Sequence, residues 1–135
     1  MSYKIEEIEG IGPEYAEKLR AVDIQTTDDL LRRCGEKSGR EGVATEADLS
    51  EKMLLSWVNR ADLMRVTGIG EEYADLLEEA GVDTVKELAT RNADNLAEKI
   101  AEINERRNLV NRLPGTETVA EWIAEADTLD QMVFH

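Results

Sequence analysis

The chain has 135 residues, of which 30 are acidic and 16 are basic, so its formal net charge is −14. Such a charge opposes long-range attraction to nucleic acid and to anionic membranes, and no apolar run approaches the about 20 residues that span a bilayer. The single cysteine, Cys34, excludes an internal disulfide and fits a reducing compartment. We therefore expect a cytoplasmic protein without a membrane partner.

The first half of the chain predicts short helices. One helix is predicted from Glu14 to Val22, where apolar side chains recur at helical spacing. A second should begin after Thr26, whose hydroxyl is placed to cap it. Residues 32–42 are rich in glycine and charge and predict a loop or a frayed turn. Ser50 then opens a stronger helix, with the apolar face Met53, Leu54, Trp57 and Val58.

The second half continues in the same way. Helices are predicted from Glu71 to Ala80 and again after Thr84. One or two longer helices should follow, with the apolar positions Leu96, Ile100, Ile103, Leu109 and Val110. Pro114 and Gly115 break this pattern, and Thr118 is the candidate cap of a last helix. No run of β-branched residues alternates for long enough to form a strand, so the predicted fold is all-α.

An internal repeat sets the expected architecture. Residues 8–31 match residues 66–89 without a gap, 58 positions later, and nine of these 24 positions are identical. We therefore predict two units, residues 1–64 and residues 65–135, packed as a pseudo-symmetric pair. Residues 119–126 also match residues 73–80 weakly, which leaves a truncated third repeat open.

The repeat contains two Gly-Ile-Gly turns, each followed by a predicted helix. Backbone N–H groups at such a position are placed to bind an anion such as phosphate. The candidate binding residues are Gly10, Ile11, Gly12, Gly68, Ile69 and Gly70. In the alternative interpretation the glycines serve only tight connections between packed helices. Glu14, Glu71 and Glu72 favour this alternative, because they occupy positions where basic residues usually assist phosphate binding.

Two short segments, residues 32–42 and 105–113, carry a net positive charge. With Lys18, the first segment completes the candidate nucleic-acid site through Arg32, Arg33 and Arg40. The alternative is that these cations only balance a very acidic surface. Few phosphate contacts would in any case give weak, salt-sensitive binding.

The sequence offers no candidate catalytic or metal site. The only histidine is His135, so no nucleophile–histidine arrangement can be built around it. The two arginines before Cys34 would lower the pKa of its thiol, although a helix-end cysteine without reactivity is the simpler interpretation. Calcium loops, zinc-ligand spacings and a P-loop are absent. We therefore expect no enzyme, no cofactor and no metal.

The two turns resemble helix-hairpin-helix motifs. Residues 68–88 resemble the small helical N-terminal domain of strand-exchange recombinases and the C-terminal domain of the bacterial RNA polymerase alpha subunit. A closer resemblance, which covers nearly the whole chain, is to Domain of Unknown Function 4332. It rests on both turns, on residues 49–65 and on residues 112–115. The resemblance implies two tandem helix-hairpin-helix (SAM-like) units and non-specific DNA contact through the hairpins. That family has no assigned activity.

Two functions remain open at this stage, both for a non-enzymatic binding module. In one, the turns bind DNA weakly and without sequence preference. In the other, the chain is a protein–protein adaptor or scaffold whose acidic surface meets a basic protein partner, without nucleic acid. DNA binding predicts both turns on one face with local positive potential, whereas an adaptor predicts divergent turns and a contiguous apolar patch. Either a monomer or a homodimer is compatible with both.

Overall fold

A computed structural model describes residues 2–135, and over these residues the secondary structure is helical. The eight α-helices are α1 (Pro13–Ala21), α2 (Thr27–Cys34), α3 (Lys37–Ala47), α4 (Glu51–Leu63), α5 (Glu71–Glu79), α6 (Val85–Ala89), α7 (Ala93–Arg107) and α8 (Thr116–Ala126). A 3-10 turn, Ile5–Glu7, precedes them, and an isolated β-bridge joins Lys4 to Thr26. The predicted all-α fold is confirmed. Within the same residues, no helix has the combined length and apolar character of a bilayer-spanning segment.

Side-chain caps define the starts of α2, α4, α6 and α7. Oγ1 of Thr26 accepts a hydrogen bond from the N–H of Asp29 at 3.1 Å, and the carboxylate of Asp29 accepts one from the N–H of Thr26. Thr84 caps α6 in the matching position of the repeat. Ser50 and Asn92 cap α4 and α7. Each cap satisfies an N–H group that the first helical turn leaves without a partner.

Helix α3 occupies part of the segment that we predicted as a loop, so that prediction is wrong. Residues 32–34 complete α2, and α3 begins at Lys37. Glycine lowers helix propensity, but Gly39 also allows α3 to approach α2 closely, because a Cβ there would overlap the carbonyl oxygen of Arg33. Packing between the two helices thus outweighs the local preference of the sequence.

Two boundaries near the C-terminal end also differ from the predictions. α7 ends at Arg107, and Asn108 adopts a left-handed conformation (φ +50°) that asparagine tolerates. Leu109 and Val110 therefore lie beyond the helix rather than within it. α8 begins one residue after Gly115, which is its N-cap, so Thr118 lies inside the helix and does not cap it.

Helix α8 is the counterpart of α4 rather than the start of a third repeat. Leu54, Trp57 and Ala61 of α4 correspond, 65 positions later, to Val119, Trp122 and Ala126 of α8, and all six side chains are buried. The weak match between residues 119–126 and 73–80 is therefore not needed to account for α8. α8 closes the second series of four helices as α4 closes the first.

One apolar core contains buried side chains from all eight helices. A buried polar contact also joins the two halves of the chain: the Asp62 carboxylate in α4 accepts a hydrogen bond from the N–H of Val85, at the start of α6, at 2.9 Å. The same carboxylate pairs with Arg65, also at 2.9 Å. The start of α6 is therefore fixed in part by a residue of α4.

The C-terminal tail, residues 127–135, returns to the turn between α2 and α3. Val133 is buried there, and the N–H of Phe134 donates to the carbonyl oxygen of Gly35 at 2.8 Å. Arg40, only 4% exposed, donates to the carbonyl oxygens of Cys34, Gly35 and Phe134. A buried guanidinium with this set of partners holds the tail against the end of α2.

Candidate binding surface at the two glycine turns

The first turn (Gly10–Gly12) and the second turn (Gly68–Gly70) have the same backbone conformation. Gly10 and Gly68 have φ values of +94° and +90°, which side-chain-bearing residues rarely adopt. In each turn the central isoleucine is buried, and its N–H donates to a carbonyl three residues earlier at 3.1 Å. Ile11 and Ile69 are thus part of the core and do not face a ligand.

An aromatic pair supports each turn from behind. Tyr15 packs on Trp57 and Tyr73 on Trp122, with ring centroids 5.3 Å apart in both pairs. Both tryptophans are 4% exposed, which agrees with their helical core spacing in the sequence. They fix the position of the turn and are too buried to stack on bases.

The last glycine of each turn faces open space. Gly12 and Gly70 are the N-caps of α1 and α5, with ordinary φ values of −82° and −96° and no side-chain cap. A Cβ at either position would have no atom within 4 Å. Neither backbone strain nor packing therefore requires glycine here, and a serine would cap the helix better. Both turns nevertheless leave the start of the following helix open to close approach. Pro13, the first residue of α1, has no N–H group, so the second turn offers one more donor than the first.

Alanine substitutions should separate the two kinds of glycine. We expect Gly10→Ala to destabilise the fold by about 1–2 kcal/mol, because alanine resists the left-handed conformation. Gly12→Ala should change stability by less than about 0.5 kcal/mol. Urea unfolding followed by circular dichroism measures both, and the Gly68→Ala and Gly70→Ala pair repeats the comparison. A large loss for Gly12→Ala would mean that the fold itself requires that glycine.

Carboxylates from both halves of the chain gather at the second turn. A cavity of about 400 Å³ is lined by Glu7, Gly68, Gly70, Glu71, Glu72 and Tyr73. Partial desolvation raises the pKa of the exposed Glu71 carboxyl, and the charges of Glu9, Glu72 and Glu7 raise it further. The segment that leads into the first turn is thus close to the second turn, and no basic side chain lines the cavity. The local field is therefore negative.

Helix α8 holds the entry to the second turn. The Glu125 carboxylate accepts hydrogen bonds from the N–H of Thr67, at 3.1 and 3.2 Å, and from its hydroxyl at 3.2 Å. Sequence reasoning did not identify Glu7, Glu9 or Glu125 as parts of this surface. Their approach depends on packing between distant helices, for which the sequence carries no local signal.

The raised pKa values predict a stability maximum on the acidic side of neutrality. The pKa values of Glu71, Glu78 and Asp62 are raised, chiefly by burial, so the folded chain binds protons that the unfolded chain releases. Stability should therefore increase as the pH falls through the raised values. Hydrogen bonds lower the pKa values of Glu6 and Asp29, and their contribution is lost only below the ordinary carboxyl range.

Thermal unfolding should thus give a higher Tm at about pH 5 than at about pH 8. Reduced repulsion within a chain of net charge −14 acts in the same direction. Glu71→Gln should reduce the difference in Tm between the two pH values, because it removes one of the carboxyl groups with a raised pKa. A Tm that falls steadily from the higher pH to the lower one would contradict the assignment.

The predicted basic residues do not line the cavity at the second turn. Lys18 donates to the carbonyl oxygen of Asp48 at 3.2 Å, and Arg33 donates to the carbonyl oxygen of Val22 at 2.8 Å and to Glu46. These two side chains line a separate cavity of about 530 Å³. The charge of Arg33 is thus partly compensated by an adjacent carboxylate.

The other two basic candidates differ in their exposure. The Arg32 side chain is 67% exposed and forms an ion pair with Asp29 on its own helix. Arg40 is buried and occupied by three carbonyl oxygens. The structure therefore brings Lys18 and Arg33 together, leaves Arg32 at the surface, and gives Arg40 a role within the fold.

Cys34 is the last residue of α2 and is fully buried. Burial raises the pKa of its thiol to about 11, because it outweighs the opposing charges of Arg33 and Arg40. The thiol is thus a poorer nucleophile than the neighbouring arginines alone would make it. Within residues 2–135, no three or more histidine, cysteine, aspartate or glutamate side chains converge as metal ligands.

Comparison with protein-family models places most of the chain in a family. The model of a family described as Domain of unknown function (DUF4332) matches residues 9–129 of the chain. No curated protein and no solved structure matches the chain.

Proposed function

The chain belongs to the DUF4332 family, and we propose that this member is a non-enzymatic binding module that recognises a basic segment of a partner protein. The observation that carries the proposal is the cavity at the second turn, where Glu7, Glu71 and Glu72 converge without a basic side chain among the lining residues. A lysine- or arginine-rich segment would find charge complementarity there.

Electrostatics favours a cationic partner over a phosphate at this surface. A phosphate at the N–H groups of Gly70 and Glu71 would lie beside the carboxylates that already raise the pKa of Glu71. Those carboxylates interact favourably with the N-terminal end of α5, and they repel a further anion. The remaining surface does not offset this, since the net charge of the chain is −14.

DNA binding remains a second candidate because of one specific observation. A Cβ at Gly12 or Gly70 would have no atom within 4 Å, so the space beside each N-cap is open. Neither packing nor backbone conformation demands glycine at these two positions. Such openness suits the close approach of a phosphate to backbone N–H groups. Contacts of this kind position a nucleic-acid backbone without reading its sequence.

Fluorescence anisotropy compares the two candidates directly. The probes are a labelled lysine-rich peptide and a labelled DNA duplex, each at about 50 and about 200 mM salt. We expect salt-sensitive binding of the peptide and none of the DNA. Glu71→Gln/Glu72→Gln should weaken peptide binding about fivefold, if each exposed charge pair contributes about 0.5 kcal/mol.

The matched control is Glu98→Gln/Glu102→Gln, which removes the same charge from exposed positions on α7. It should leave peptide binding nearly unchanged. An equal loss of peptide affinity in both double variants would mean that the peptide is attracted only by the net charge of the chain, and it would overturn the proposal. DNA binding that strengthens in Glu71→Gln/Glu72→Gln and disappears in a folded Gly12→Glu/Gly70→Glu variant would establish the second candidate instead.

A further inference from the structure

A second polar groove lies between α4 and the end of α5, on residues outside the surface at the two turns. It has a volume of about 400 Å³ and is lined by Lys52, Leu55, Ser56, Asn59, Glu78, Gly81 and Asp83. The α4 residues among them follow helical spacing, so they form one stripe on that helix. The groove is thus built by regular elements, with a short loop at one end.

One acceptor atom at this groove has no partner. Asn59 is only 9% exposed, and its Oδ1 atom is buried without a donor. Oε2 of Glu78 is buried as well, but it forms an ion pair with Nε of Arg60 at 3.1 Å. A buried acceptor without a donor is costly, so the amide oxygen of Asn59 calls for an N–H or O–H group from elsewhere.

Asn59 differs from its counterpart in the other copy of this helix. In α8 the equivalent residue, 65 positions later, is Ala124, which is exposed, whereas Asn59 is buried. A helix of this kind therefore forms without an amide at this position. Asn59 is a departure from the repeat, located where α4 meets α5.

The charge around the groove is negative on balance. Arg60 is shared between Asp75, at 2.7 Å, and Glu78, at 3.1 Å, so two carboxylates surround one guanidinium. Asp83 adds a third carboxylate and Lys52 a second cation at the lining. Burial raises the pKa of Glu78, and the carboxylates of Asp75 and Asp83 add to this against the opposing effect of Arg60. A cation entering the groove would relieve that repulsion.

We propose that the groove between α4 and α5 binds a primary alkylammonium group, with Oδ1 of Asn59 and the carboxylate of Glu78 as its acceptors. An ammonium group supplies several N–H donors and one positive charge. The donors meet the unpaired Oδ1 atom of Asn59, and the charge offsets the excess of carboxylates at the groove. Leu55 lines the groove and offers an apolar surface to the alkyl stem. The Glu78 side chain is 34% exposed, so a ligand can approach its carboxylate while Oε2 remains paired with Arg60. The group comes either from a lysine side chain or from a free amine.

Nuclear magnetic resonance of the ¹⁵N-labelled protein tests the proposal, with n-butylammonium chloride, a short peptide containing one lysine, and tetramethylammonium chloride at equal ionic strength. The first two probes should shift the amide signals of Ser56, Asn59, Gly81 and Asp83, whereas tetramethylammonium, which has no N–H donor, should not. Binding of the peptide alone identifies a protein side chain as the source, and binding of both probes admits a free amine. Absence of both shifts overturns the proposal.

Variants at the groove provide the second test. Asn59→Leu and Glu78→Gln should each weaken butylammonium binding by about tenfold, since each removes or weakens a hydrogen bond to a charged group. Lys52→Gln should strengthen it, because the rival cation is removed. Glu98→Gln and the Glu71→Gln/Glu72→Gln variant should leave it unchanged, which keeps this proposal separate from the function proposed for the turns. Unaltered binding in a folded Asn59→Leu variant would overturn the assignment.

Discussion

Replacing Gly39 by alanine should destabilise the protein by about 3 kcal/mol, the upper part of the usual range for overpacking. A Cβ at this position would overlap the carbonyl oxygen of Arg33, and the next nearest atoms also belong to the backbone of α2. A backbone cannot turn aside as a flexible side chain does, so α3 must move away from α2. Urea unfolding monitored by circular dichroism measures the loss.

Gly42 in the same helix supplies the matched control. It is exposed, and a Cβ there would have no atom within 4 Å. Gly42→Ala should therefore stabilise the protein by about 0.5–1 kcal/mol, through the higher helix propensity of alanine. If both substitutions stabilise the fold to a similar extent, the close approach of α2 and α3 described above is incorrect.

Asp62→Ala should be at least as damaging, with a loss of about 3–5 kcal/mol. Asp62 is 1% exposed, and its carboxylate serves both Arg65 and the N–H of Val85. The alanine variant leaves a largely buried guanidinium without its counter-ion and a buried N–H without its acceptor. The same unfolding experiment gives the magnitude, and hydrogen exchange at α6 reports whether the start of that helix loosens.

Asp62→Asn separates the hydrogen bond from the charge. Its amide oxygen can still accept from the N–H of Val85, so the loss should be smaller, at about 1–2 kcal/mol. Because burial raises the pKa of Asp62, this variant should also gain less stability than the wild type on acidification. Equal losses for alanine and asparagine would assign the whole effect to Arg65.

The sequence predicted the helices where local signals agree with packing. The spacing of apolar residues identified α1, α4 and α5, and the threonine caps marked the starts of α2 and α6. The spacing failed at α3, because Gly39 and Gly42 weaken its helical signal while contact with α2 stabilises the helix. Long-range packing of this kind leaves no pattern in a single segment.

The candidate site shows the same division. The internal repeat identified both glycine turns, and the apolar face predicted for the helix after Ser50 included Trp57, which is buried. The sequence did not indicate that Glu7 would lie beside the second turn. It also gave no sign that Arg40 would point inward, because the carbonyl oxygens that it satisfies come from the end of α2 and from Phe134, 94 residues away.

The contact between Arg40 and the tail has a consequence for folding during biosynthesis. Arg40 is synthesised early, but one of its acceptors, the carbonyl oxygen of Phe134, emerges from the ribosome only after all eight helices. The buried side chain of Val133, which completes the core, arrives equally late. Domains of multidomain proteins usually fold in the order of their synthesis. Here the first half of the chain reaches its final packing only after the second half has been made.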